Sequence, residues 1–146
     1  MRIAVLTFEG FNELDSFVAA GLLNRMRGQG WQAQITAPSE WITSMNGVRV
    51  QAQQPLEFAN AADVVLFLTT KPWVIEAGVQ VLDQPFFANG NLATAGGCLS
   101  APYLAAWVIA KLAGEDACAT ALHYVAPVGE KEAYMAHALG VVRPYL

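Results

Sequence analysis

The segment Asn91–Gly114, NLATAGGCLSAPYLAAWVIAKLAG, constrains the fold more than any other stretch of the chain. A short apolar run, Leu92 to Ala95, breaks at Gly96-Gly97 and passes into a helical pattern that is apolar on every side. An apolar run stopped by glycines reads as a buried strand and a tight turn, and a helix without a polar face must itself be buried. Strand, turn and buried helix in that order belong to α/β architecture. There the turn lies at the carboxyl end of a strand, where ligands bind and the first N–H groups of the helix face any anion. Cys98 stands at this turn.

The amino-terminal part supplies the rest of such a sheet. Arg2 to Phe8 reads as a strand and Glu9-Gly10-Phe11-Asn12 as the turn after it. A helical pattern starts at Glu13, with Phe17, Val18, Leu22 and Met26 on one stripe. The spacing Asn12-x-x-Asp15 suits a helix cap, and Gly28 or Gly30 suits its end. Trp31 to Ala37 follows as a second strand, stopped by Pro38, which makes a right-handed parallel βαβ unit. Met45-Asn46-Gly47 is a hairpin turn between Trp41–Ser44 and Val48–Ala52, set aside from the central sheet. Pro55 to Ala62 is a short helix or loop. Asp63 to Leu68 is continuously apolar, as a parallel strand covered on both faces requires.

Regularity fails after Leu68. Thr69 to Gly78 holds at most two helical turns, Val79 to Phe87 is extended, and Ala88 to Asn91 is a turn before the strand Leu92–Ala95. Helices are expected at Leu99–Ala113, ending at Gly114, at Glu115–Tyr124, and at Lys131–Leu139 with Gly140 after it.

A chain of 146 residues is one domain by length. Hydrophobic residues make up 55% and charged residues 14%, so the apolar surface exceeds what one such core absorbs, and a subunit interface is its plainest destination. The net charge of −4 offers no electrostatic footprint for nucleic acid or an anionic membrane. The apolar start ends at Glu9, too early for a leader peptide, and the longest uncharged apolar run, Ala101 to Ala110, is about half a membrane span. Two cysteines make no disulfide framework. The expectation is a cytoplasmic protein with reduced thiols.

Three groups of residues carry a resemblance: RIAVLTFEGFNELDSF at the start, ADVVLFL in the middle, and GNLATAGGCLSAPYLAAWVIAKLAG with HYVAPVGE at the end. In these the chain resembles the DJ-1/PfpI (ThiJ) family of class I glutamine-amidotransferase-like proteins, particularly its isonitrile-hydratase-like branch. The resemblance implies a flavodoxin-like three-layer α/β sandwich, here with a shortened, mainly parallel sheet and a small β-hairpin. Family members follow the third strand with a Pro-Gly-Gly type loop, a helix, and a nucleophile elbow of the form Ala-x-x-Cys-x-Gly. In this chain Leu68 runs directly into TTKPWVIEAG, which resembles the segment beyond that elbow. A strand-helix unit on the order of 30 residues, and the family nucleophile with it, is missing by this comparison.

Two residues inherit the question of catalysis. Asp15 matches the position of the family's acid beside the elbow thiol, yet with that thiol gone it has no obvious partner. It serves equally as a charge in the first turn of its helix. Cys98 gains acidity if its helix N-terminus acts on it, but the elbow's glycine two positions on is replaced by Ser100, and a small apolar residue in a tight turn is the plainer reading. Glu13, Thr69, Thr70, Gly96, Gly97 and Ser100 complete a candidate ligand-binding set, with the Gly96-Gly97 N–H groups able to cradle a carboxylate or oxyanion. Cys98, Cys118, His123 and His137 have no zinc spacing, Ser100, His123 and Asp15 have no Gly-x-Ser-x-Gly elbow, and no G-x-G-x-x-G dinucleotide fingerprint is present. No metal and no cofactor are therefore expected.

Loss of an internal strand either brings Asp63–Leu68 and Leu92–Ala95 together or leaves two apolar edges, and such edges recruit another chain. The expectation is a non-catalytic homodimer, possessing a small-ligand site at the carboxyl ends of its strands. The alternative is a small cysteine-dependent hydratase or hydrolase using Cys98 and Asp15.

Overall fold

The computed structural model describes residues 1–67, 75–78 and 80–146. The expected segment Thr69–Gly78 falls largely outside them. A four-stranded parallel sheet is built from β1 (Arg2–Leu6), β2 (Gln32–Ala37), β5 (Gln54–Pro55) and β6 (Val64–Phe67), in the order β5-β2-β1-β6. That β2-β1-β6 order is the start of a flavodoxin-like sheet. Ile3, Ala4 and Val5 are all fully buried, so both faces of the central strand are covered. Helix α1 (Glu13–Leu23) packs on β1 and β2, as does the 3-10 segment Leu56–Ala61.

The hairpin of β3 (Trp41–Thr43) and β4 (Arg49–Gln51) forms a separate antiparallel pair, as its turn residues imply. A second pair departs from the sequence expectation. β7 (Phe86–Asn89) and β8 (Leu92–Ala95) are antiparallel across the turn Gly90-Asn91, in a sheet of their own. β8 is therefore not the buried parallel strand its apolar sequence suggests, and Leu92 is 72% exposed. Its hairpin is anchored by aromatic contacts instead: the Phe86 ring lies 6.3 Å from Trp107 and 5.4 Å from Tyr145.

β6 also departs from expectation. Leu66 is buried, but Val65 and Phe67 are each about half exposed, with the Phe67 ring edge-on to Phe8 at 5.5 Å, so the two faces are unequally covered. Among the described residues β6 and β8 stand in separate sheets and do not pair with each other.

Three helices close the chain: α2 (Ala101–Ala113), α3 (Glu115–Val125) and α4 (Lys131–Val142). α2 packs on α1, α3 and α4. Its buried residues, Ala101, Pro102 and the run Ala105 to Ala110, span most of its circumference, as an all-apolar helix demands. The α1 residues buried are Ser16, Ala19, Leu22 and Leu23; Phe17, expected among them, is turned outward with its ring edge-on to Phe11 at 5.8 Å. α4 continues through Gly140 to Val142, because Leu139 and Val142 are both buried and packing outweighs the roughly 1 kcal/mol a helical glycine costs. No helix of the described residues is long and apolar enough to cross a membrane.

Candidate functional site

The site begins at the end of β8. Gly97 has φ 87° and ψ 146°, a conformation open in practice only to glycine, and it redirects the chain from strand to helix. Cys98 opens the 3-10 turn Cys98–Ser100 that leads into α2. The strain of the bend sits on Gly97, and no described non-glycine residue has positive φ, so Cys98 is not itself the strained residue of a nucleophile elbow.

The first turn of α1 faces this cysteine. Asn12 is the N-cap: its Oδ1 accepts from Leu14 N at 2.9 Å, and its Nδ2 donates to Cys98 Sγ at 3.0 Å. Asp15 lies near enough to the same thiol for each group to shift the titration of the other. The thiol at the β8–α2 bend is thus the neighbour of Asp15, the pairing on which the enzyme alternative was built. Residues 12 and 15 lie on one helix face at a spacing of three, which is why both reach the same sulfur.

Electrostatically each group of the pair is shifted toward its protonated form. Burial raises the Asp15 carboxyl above its ordinary value, and the bond to Cys98 only partly opposes this. Burial raises the Cys98 thiol, the negative charge of Asp15 and its hydrogen bond raise it further, and its own backbone N–H lowers it. The gain in acidity expected from the helix N-terminus is outweighed. Cys98 is a neutral thiol at ordinary pH, and a thiol is a poor nucleophile.

The other candidates are placed as follows. Ser100 is buried and its Oγ donates to Gly96 O at 2.7 Å. Gly96 N donates to Pro85 O at 3.1 Å, so of the two glycine N–H groups expected to cradle an anion, this one is already used. Both Glu13 oxygens accept from the β3–β4 turn: Oε1 from Ser44 Oγ, and Oε2 from Asn46 Nδ2 at 2.8 Å. Thr69 and Thr70 lie outside the described residues. Cys118 is fully buried, donating to Ala106 O at 3.3 Å, with its thiol pushed up to about 11 by burial. His137 lies 3.2 Å from the Tyr103 hydroxyl. Among the described residues no cluster of three or more His, Cys, Asp or Glu could hold a metal ion.

Sequence reasoning missed Asn12 as a neighbour of Cys98. The signal was present in the cap itself, because an Asn that caps with its oxygen has an amide N–H₂ left to place.

No family model and no curated protein matches the chain. Solved structures do. The VC2308 protein aligns with a TM-score of 0.71 at 17% identity, over 92% of this chain and 97% of its own. DJ-1 of Schizosaccharomyces pombe aligns at 0.72 and 11% identity, over 87% and 100%. DJ-1beta of Drosophila melanogaster aligns at 0.71 and 16% identity, over 85% and 96%. Identities this low speak to backbone architecture, and on that architecture the chain has the fold of DJ-1 superfamily proteins.

Proposed function

We propose that this chain is a non-catalytic protein of DJ-1-like fold that forms a homodimer and binds a small ligand beside Asp15 and Cys98. The observation that carries the reading is electrostatic. The one thiol near the strand ends faces a carboxylate, and both groups are biased toward their protonated forms. Nucleophilic catalysis by cysteine needs the opposite bias, supplied by a base or a cation. A half-buried acid and thiol suit recognition of a small polar molecule that offers a donor to Asp15. Dimerisation is supported by the apolar residues left exposed: Val65 on β6, Leu14 and Phe17 on α1, and Leu99, 82% exposed, beside the site.

The alternative, a cysteine-dependent hydratase or hydrolase, draws on the same contact between Cys98 and Asp15. Acetamide and acetate distinguish the readings as probes of the site. Saturable protection of Cys98 from iodoacetamide by acetamide, lost in Asp15→Ala, supports a binding site; turnover of an amide or nitrile that disappears in Cys98→Ser favours the enzyme. Sedimentation tests the assembly separately, since a stable monomer at micromolar concentration contradicts the homodimer.

A further inference from the structure

The segment 9–15 serves two masters. Glu9 Oε2 accepts from Thr43 N at 2.8 Å, Gly10 N donates to Thr43 O at 2.8 Å, and Met45 N donates to Phe11 O at 3.0 Å. These contacts, with Glu13, tie the segment to the β3–β4 hairpin. Asn12 and Asp15 turn the other way, to Cys98.

Glu13 is the strongest of the ties. Ser44 Oγ already accepts from Asn46 N at 3.2 Å and from Val48 N at 3.0 Å. Both its lone pairs are thus used, and its single proton has to be donated. Glu13 Oε1 receives it, while Oε2 takes Asn46 Nδ2. Ser44 is buried, so losing that acceptor leaves a hydroxyl proton with nowhere else to go. The carboxylate also stands at the first position of α1, where negative charge is favoured.

We propose that Glu13 is a positioning residue for the Cys98 site: its bonds to the β3–β4 hairpin hold the first turn of α1 in the orientation that brings Asn12 and Asp15 onto the thiol. The inference concerns the free protein and stands apart from whether a ligand binds.

The test is the pH profile of Cys98 alkylation by iodoacetamide, resolved by peptide mass spectrometry so that Cys118 is counted separately. The readout is the midpoint of the profile, since greater exposure alone raises the rate at every pH. Glu13→Ala is expected to move the Cys98 midpoint down toward that of an ordinary thiol, by about half a unit or more, which is roughly threefold in thiolate at pH 8. Glu13→Gln, which keeps an acceptor for Ser44, returns the midpoint toward wild type. Asn46→Ala removes one bond from an exposed turn residue and shifts the midpoint in the same direction by less, and it decides the matter if Glu13→Ala does not fold. Variants that lower Tm while their Cys98 profiles superimpose on wild type overturn the proposal.

Discussion

Asn12 Nδ2 stands 3.0 Å from Cys98 Sγ across 86 residues of sequence, and the Oδ1 of the same side chain caps α1 through Leu14 N at 2.9 Å. One amide therefore both starts a helix and fixes the thiol beside it.

The two roles separate under mutation. Asn12→Ala removes the cap and is expected to lower stability by about 1 kcal/mol in urea unfolding. Asn12→Ser keeps a capping oxygen and recovers most of that loss, yet restores no donor of the same reach to Cys98. Equal losses in the two variants would mean that the cap is not what stabilises α1.

Adjacent glycines at the β8–α2 bend differ in the same way. Gly97 has φ 87° with open space where a Cβ would stand, so Gly97→Ala is expected to cost about 1–3 kcal/mol through backbone strain alone. At Gly96 an added Cβ meets Gln84 O at 3.5 Å, an ordinary contact, and Gly96→Ala is expected to be close to neutral. Unfolding midpoints of the pair in denaturant check the contrast.

The acids give opposite pH signatures. Glu13 is lowered from its ordinary 4.5, chiefly by the Ser44 hydrogen bond, so the stability it contributes is fully present above pH 4.5 and is lost as pH falls through its folded value. Glu13→Gln is expected to unfold more readily than wild type at neutral pH, with the difference closing in acid. Asp15 is raised from 3.8 by burial, so the folded state is penalised as pH climbs from 3.8 through the folded value. Asp15→Asn is expected to gain on wild type above that range and to match it below. Urea unfolding between pH 3 and pH 7 reads both.

Local chemistry made much of this legible. β1, β2, the Asn12 cap and the hairpin around Met45-Asn46-Gly47 follow from periodicity and turn residues that act over a few positions. The contact of Asn12 with Cys98 does not, because the thiol is supplied by a bend far along the chain. The exposure of Val65 on β6 and the outward turn of Phe17 were hidden for a related reason: an apolar residue shows that it favours burial, not which neighbour is present to bury it. β8 was misplaced because a short, mainly apolar run reads alike in a parallel core and in a hairpin, and β7 decided between them.

The central claim is that Cys98 is held as a neutral thiol by burial and by the neighbouring Asp15, and its alkylation by iodoacetamide as a function of pH tests it most directly. The account predicts a rate that keeps rising through neutral pH to a midpoint above the ordinary thiol value of 9.0, with no plateau at lower pH, and a midpoint that falls in Asp15→Asn. A plateau persisting below neutral pH, abolished by Asp15→Asn, would show a thiolate made by that carboxyl and would contradict it.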